Sequence, residues 1–305
     1  TSAPTFGLGA EHIDPTTNAI VGTAEFAADG QEVVIADGFV WSLEAQHPNV
    51  NLVKIAPDRA VVVGELTGKV FFHPTGAAGH VFSYVVDGSN FSFSRVDPRT
   101  NEPISLIQPR LGGAQGVASE NGRVWWGIPW DGTGPFDPGI IRFDTATGRE
   151  RLIPVKDPDP FVCDREGGCR ANAIAAGEGG VWFITSSHTL DRLDPKTHEV
   201  EPVPVDAATS VAVGLGSVWI ADNTSTPGVV REYAPSTGKV VEEYEVGANP
   251  TAIAVGAGAV WVVNRDNGTL SRIDPEANEV AATIDVGLGA RAVAADDELG
   301  VWVVR

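Results

Sequence analysis

Short apolar stretches, separated by Gly-rich or Asp-Pro turns, recur along the whole chain. The clearest copy predicts four strands, at residues 251–255, 259–264, 269–273 and 279–286. The first of these strands is built from small apolar residues, and the second carries a Trp. Because four short strands repeating every ~40–45 residues are typical of propeller blades, the pattern predicts an all-β chain with a β-propeller fold.

Two sequence markers count the copies. The second strand of each copy contains a Val followed by an aromatic residue, namely Trp41, Phe82, Trp125, Trp182, Trp219, Trp261 and Trp302. A turn such as Ile-Asp-Pro at 273–275 follows the third strand of the first six copies. The seventh turn, Ile-Asp-Pro at 13–15, stands near the N-terminus, and the last copy stops at Arg305 after half a repeat. We therefore predict one domain, residues 1–305, with seven four-stranded blades, in which 1–28 and 291–305 together form the closing blade.

The repeat unit also carries a family likeness. Its pattern Gly-x-Gly-x-Val-Trp-Val-x-Asn, then Ile-Asp-Pro, then x-x-Ile-x-Val-Gly, resembles the YVTN and streptogramin (virginiamycin) B lyase-like seven-bladed β-propeller superfamily. The likeness is strongest over 208–305 and weakest over 60–170. It implies a propeller that is either a binding module or, as in the streptogramin B lyases, an enzyme with a catalytic His in a metal-assisted site. Where those lyases read Trp-Phe-Thr-Glu, residues 182–185 read Trp-Phe-Ile-Thr, so the motif does not place that His.

Charge and hydropathy exclude several classes of protein. The chain has 40 Asp+Glu against 21 Lys+Arg, a net charge of −19. Such an acidic chain argues against nucleic-acid binding, since phosphates are bound by basic surfaces. No stretch approaches the roughly 18 continuous apolar residues of a membrane span.

The cysteines bear on the compartment. Cys163 and Cys169 are the two cysteines of the chain, and they are too isolated for a structural zinc site with four ligands. We predict that they form a disulfide that closes a small loop, which implies an oxidising compartment. The chain contains no Met, even at position 1, as expected of a product from which a targeting segment has been removed. The predicted location is secreted, periplasmic or cell-surface.

Candidate binding residues are predicted on one face of the propeller. The loops from second to third strands, and from fourth strands to the next blade, share a face that we call the top face. Its longest insertions fall at 42–51, 127–139 and 155–172. Trp130 and Asp131 lie in the second insertion, as part of a rigid turn or as an aromatic anchor for a partner or sugar ring.

Aligned repeats place two further sets of residues around the top-face mouth of the central channel. The first strands begin with Gln31, Lys69, Gln115, Asn172, Thr209, Thr251 and Arg291. Three positions after each marker aromatic residue come Glu44, Val85, Ile128, Thr185, Asp222, Asn264 and Arg305. These side chains either satisfy backbone groups and channel waters or form a mixed-charge ligand site. For the second interpretation, the candidate ligand-binding residues are Gln115, Trp130, Asp131, Asn172, Asn264, Arg291 and Arg305.

Two histidines, His47 and His188, fall on predicted top-face loops. Either is ordinary surface or a general base at the mouth. Glu44 and Asp222, together with His47, are candidate ligands for a divalent metal ion such as Mg²⁺ or Ca²⁺.

The sequence contains no Gly-x-Ser-x-Gly elbow, phosphate-binding loop, dinucleotide fingerprint or His-Glu-x-x-His motif. We therefore predict an exported binding or interaction module that takes a small molecule, glycan or protein at the top face. The alternative is a metal-assisted lyase or hydrolase of a cyclic ester or similar small molecule. In that alternative, His188 or His47 is the base, and a metal ion at Glu44 and Asp222 stabilises an enolate or oxyanion.

Overall fold

The computed structural model describes residues 7–46, 49–67, 69–77, 80–87, 90–97, 99–107, 115–128, 139–155, 174–185, 188–205 and 207–305. This part of the chain is all-β and forms 28 strands, most of them in four-stranded sheets. Within it, no helix is long and apolar enough to cross a membrane.

Four successive antiparallel sheets lie between residues 115 and 285, each an up-and-down meander. Their strands are β11 (Gln115–Glu120), β12 (Arg123–Ile128), β13 (Gly139–Asp144) and β14 (Arg149–Pro154); β15 (Ile174–Gly177), β16 (Gly180–Ile184), β17 (Leu190–Leu193) and β18 (Val200–Val203); β19 (Ser210–Gly214), β20 (Ser217–Asp222), β21 (Val229–Ala234) and β22 (Lys239–Glu245); and β23 (Pro250–Gly256), β24 (Ala259–Asn264), β25 (Thr269–Asp274) and β26 (Glu279–Asp285). The last four differ from their predicted bounds by at most one residue at either end.

The first part of the chain contains two further meanders. Their strands are β3 (Asp29–Ala36), β4 (Phe39–Gln46), β5 (Asn49–Ala56) and β6 (Val61–Leu66), then β7 (Val70–Ala77), β8 (His80–Asp87), β9 (Asn90–Asp97) and β10 (Glu102–Ile107). One parallel pair, Val50 with Val70, joins the two into a single eight-stranded sheet.

The remaining sheet combines the two ends of the chain. It contains β1 (Gly9–Asp14), β2 (Ala19–Glu25), β27 (Ala292–Asp296) and β28 (Gly300–Val304), in the order β2-β1-β28-β27. Strand β1 pairs with β28 over four residues, from Ala10 opposite Val304 to Ile13 opposite Val301. The first strands of the sheets also contact each other in order, β3 with β7, then β11, β15, β19, β23 and β27, and β27 contacts β3.

The turns after the third strands explain why the repeat needs an Asp. Asp14 Oδ1 accepts hydrogen bonds from the backbone N–H and the hydroxyl of Thr16, at 2.8 and 2.6 Å. The same bond to the backbone two residues on recurs at Asp194 and Asp274. The Asp side chain thus accepts a turn N–H that has no partner in the strand pairing. The turn at residues 14–18 ends at Asn18, which adopts the left-handed region with φ 57°. The hydrogen bonds hold the pKa of Asp14 below its usual value.

The marker aromatic residues form the centres of the hydrophobic clusters. All six Trp of the Val-Trp pairs, and Phe82, are at most 1 % exposed. Trp261 packs in a cluster with Val293 and Val303 of the next sheet, and its indole N–H donates to Gly256 O at 3.0 Å. The indole N–H groups of Trp41, Trp182, Trp219 and Trp302 likewise donate to backbone carbonyls, so these side chains are buried while their one polar atom keeps a partner.

Candidate functional site

The predicted mouth residues lie at one end of the sheets. Because the first and second strands are antiparallel, the start of one lies beside the end of the other: Gly30 pairs with Glu44, and Pro250 with Asn264. Arg291 likewise donates its backbone N–H to Val304 O, at 2.9 Å. We call this the mouth end.

Arg291 joins two neighbouring first strands at the mouth end. Its guanidinium donates to Gln31 Oε1 at 3.4 Å and to Asp29 Oδ2 at 3.2 Å, at the beginning of β3. The Arg291 side chain is 34 % exposed and the Asp29 side chain 48 %. A guanidinium has five N–H groups, so these two long bonds leave donors for a ligand.

Glu44 lies at the mouth end of β4 and is buried. Its Oε1 accepts the backbone N–H of Ala28 at 2.7 Å, just before β3 begins. The carboxylate therefore holds the chain segment that leads into the first strand.

Asp222 is also buried, and both of its oxygens have partners. Oδ1 accepts from the backbone N–H and hydroxyl of Thr224, and Oδ2 accepts from Arg231 Nη1 at 2.8 Å. Arg231 in turn pairs with Glu243 at 2.9 Å. Burial alone would raise the pKa of Asp222, but the bonds from Thr224 and Arg231 lower it overall.

Arg305 forms a buried ion pair with Glu11 of β1. The guanidinium also donates to the carbonyl oxygens of Gly7 and Val286. Glu11 Oε2 accepts the Thr23 hydroxyl at 2.6 Å, so its second oxygen also has a partner. These contacts tie Arg305 to β1 and to the segment that follows β26.

Asn264 keeps one polar atom without a partner. Its amide donates to the hydroxyls of Thr269 and Ser271, at 3.1 and 2.8 Å. Its Oδ1 is buried and has no hydrogen bond within the described residues, and the same is true of Thr251 Oγ1. A buried acceptor without a donor costs about 1–3 kcal/mol, so this pair marks a place where a bound water or ligand hydroxyl would be stabilised.

His188 is exposed and sits in the left-handed region, with φ 62°. Its Nδ1 lies 3.3 Å from Ala208 O, and its backbone N–H donates to Thr185 O at 3.0 Å. The ring is therefore held near the loop before β19, with its other nitrogen available.

Several predicted site residues lie outside the described part of the chain: His47, Trp130, Asp131, Asn172, Cys163 and Cys169, and the side chain of Gln115. Their roles, including the disulfide, stay predictions. Among the residues that the structure describes, no group of three or more His, Cys, Asp or Glu could hold a metal ion. The metal site of Glu44, Asp222 and His47 therefore also stays a prediction.

Sequence reasoning missed Arg231 and Glu11, the partners of Asp222 and Arg305. Both occupy the same repeat position, on the third strand opposite the residue that directly follows the marker Trp. The pair is Asp222–Arg231 in one sheet, Arg305–Glu11 in another and Asn264–Ser271 in a third. This compensating exchange between repeats was the signal that could have found both residues. It also shows that Asp222 and Arg305 each stabilise their own sheet.

No protein-family model matches the chain, and no curated protein matches it. Solved structures do. The β-propeller domain of Cps50 (Swd1) from Myceliophteria thermophila is 12 % identical, with TM-score 0.61 over 90 % of this chain and 92 % of its own. The computationally designed Ika8 protein is 16 % identical, with TM-score 0.60 over 97 % and 99 %. A chain of a nidogen/laminin complex is 12 % identical, with TM-score 0.54 over 81 % and 90 %.

The fold is a β-propeller. Identities this low show the fold alone, so membership of the YVTN and streptogramin B lyase-like superfamily stays a prediction.

Proposed function

We propose that this chain is an exported, seven-bladed β-propeller that binds a small molecule, glycan or protein at its mouth end. The seven blades are the two meanders of the eight-stranded sheet, the four sheets from β11 to β26, and the sheet of the two chain ends. The closed order of contacts between first strands, from β27 back to β3, supports this count. The pairing of β1 with β28 supports closure by the terminal strands. Export rests on the predicted disulfide and the absence of Met.

The Arg291 cluster is the observation that carries the binding proposal. Arg291, Gln31 and Asp29 present a cation, an amide and a carboxylate together, and none of the three is fully buried. A polar partner with both donors and acceptors fits such a surface. Glu44, Asp222 and Arg305 are buried and already bonded within the protein, so they are less available to a ligand than Arg291. The nidogen/laminin neighbour was solved as a protein complex, which is compatible with an interaction module.

The test is a crystallographic screen of polar fragments soaked into the wild type, Arg291→Ala and Arg59→Ala. Arg59 is an exposed arginine beside Asp58, in the turn at the other end of β5, and serves as the matched control. We expect fragments against Arg291 and Gln31 in the wild type and in Arg59→Ala, and their loss in Arg291→Ala. Fragments that bind only elsewhere, or that bind the mouth end equally well without Arg291, would contradict the proposal.

A further inference from the structure

A cavity lies at the end of the sheets opposite the mouth end, between the β3–β6 meander and the β7–β10 meander. Its volume is about 570 Å³. Phe39, at the start of β4, forms part of its wall, whereas Glu44 lies near the other end of that strand. The cavity, which we call the underside cavity, is therefore separate from the mouth end.

Three cationic side chains line the underside cavity. The Lys54 ammonium lies 3.7 Å from the centre of the Phe39 ring, close enough for a cation–π interaction. Burial lowers the pKa of Lys54, although Asp37 and Asp97 oppose this. Arg95 and Arg99 have no side-chain hydrogen bond, and no carboxylate within ion-pair distance, in the part of the chain that the structure describes.

The carboxylates of the cavity offset the charge of these cations only in part. Asp97 Oδ1 accepts the backbone N–H groups of Arg99 and Thr100, at 2.8 and 3.4 Å. The bond from Arg99 is the main reason that the pKa of Asp97 is lowered, so this carboxylate is ionised and committed to its own turn. With Asp37, two negative charges face three positive ones, in a chain whose net charge is −19.

One further polar atom in the cavity wall is unsatisfied. His80 Nδ1 is buried and has no hydrogen-bond partner among the described residues. A neutral imidazole can either donate or accept there, so this atom can bond to a ligand that enters the cavity.

The repeat supplies a comparison. An equivalent cavity of about 450 Å³ lies between the terminal sheet and the β3–β6 meander, at the same end of the sheets. The described residues that line it include Asp14, Asp58, Asp297 and Glu298 but no Lys or Arg. The fold therefore does not dictate a basic lining between neighbouring sheets, and the lining of the underside cavity is a property of its own sequence.

We propose that the underside cavity binds a small organic oxyanion, a carboxylate or phosphate attached to an apolar group, with Arg95 and Arg99 as the anion-binding residues. A planar guanidinium matches the two oxygens of either anion, and two guanidinium groups that line one cavity form a site for one charged head. Phe39 offers the apolar surface, and the volume falls within the ~300–1,000 Å³ of small-molecule sites.

The test uses phenyl phosphate and benzoate as probes, and benzylamine as the cationic control, by isothermal titration calorimetry. The two anions distinguish phosphate from carboxylate as the preferred head group. The variants are Arg95→Gln and Arg99→Gln. The matched control is Arg272→Gln, because Arg272 lies opposite Trp261 as Arg95 lies opposite Phe82. Arg99 is exposed, so its variant keeps the test valid even if Arg95→Gln folds poorly.

We expect the wild type and Arg272→Gln to bind at least one anion, with benzylamine inert, and each cavity variant to bind at least about tenfold more weakly. No binding of either anion to the wild type at about 10 mM would overturn the proposal. Equal affinity of the wild type and Arg99→Gln would overturn it as well. The outcome at the mouth end does not depend on this result, since Arg291 is unchanged in every variant.

Discussion

The buried Arg305–Glu11 pair yields the sharpest stability prediction. Both side chains are at most 4 % exposed, and Glu11→Ala removes the carboxylate that pairs with this buried guanidinium. Removing one partner of a buried ion pair costs about 3–5 kcal/mol. With an unfolding entropy of about 2.1 cal/mol/K per residue, 305 residues give about 0.64 kcal/mol/K, so Tm should fall by about 5–8 °C.

The assay is equilibrium urea unfolding followed by Trp fluorescence, with a thermal scan on the same samples. Glu11→Gln keeps one acceptor oxygen for Arg305, and its amide N–H can donate to the Thr23 hydroxyl, so it should cost less, about 1–3 kcal/mol. Glu25→Ala, at an exposed position on the neighbouring strand β2, should stay within about 0.5 kcal/mol of the wild type. A cost below about 1 kcal/mol for Glu11→Ala would refute the reasoning, because Arg305 would then not depend on this carboxylate.

Three further predictions concern packing, pH and metal. Trp261→Ala should cost about 3–5 kcal/mol of unfolding free energy in urea, since the side chain is fully buried between two sheets; a cost under about 1 kcal/mol would contradict this packing. Burial lowers the pKa of His73, but Glu32, at 2.9 Å, raises it, and the net result is a pKa above 6.5. The stabilisation by this pair is therefore present below about pH 6.5 and is lost as the pH rises through the raised pKa. The stability difference between wild type and His73→Gln should therefore be larger at about pH 6 than at about pH 9, and a difference that does not change with pH would contradict the assignment. If the predicted metal site exists, EDTA should lower Tm and Ca²⁺ or Mg²⁺ should restore it; no shift would count against the lyase or hydrolase alternative.

The sequence predicts the fold well because each repeat has a similar pattern of strands and turns. In most copies the second strand carries a Trp, the turn after the third strand carries an Asp, and the first strand contains small apolar residues. Strand bounds that are ambiguous in one copy can therefore be inferred from the others, and the strands at 250–285 agree with their predicted bounds to within one residue. Strand β7, which has a bulge between Phe72 and Thr75, departs from the repeat pattern, so the other copies do not help to predict it.

The site was harder to predict because a polar side chain does not reveal its partner. The sequence placed Asp222 and Arg305 at the mouth end, but their charges are taken up by Arg231 and Glu11 on neighbouring strands of their own sheets. Arg291, at an equally polar position, instead has only long bonds and a third of its side chain exposed. Which of these cases applies depends on the residue that faces the side chain across the strands. A single sequence reveals that partner only where both residues of the pair change together from one repeat to the next.

Closure by the terminal strands can be measured directly with Ala10→Cys/Val304→Cys, in a background where Cys163 and Cys169 are Ser. Gly9 and Arg305 exchange both backbone hydrogen bonds, so Ala10 and Val304 form the next, non-hydrogen-bonded pair. Their Cα atoms are then about 4.5 Å apart, which suits a disulfide. The account predicts an intramolecular cross-link, seen by mass spectrometry and by protection from alkylation. The slipped control Ala10→Cys/Val303→Cys points its thiols to opposite faces and should stay reduced. Failure of the first pair to cross-link, or equal cross-linking of the second, would contradict the closed propeller.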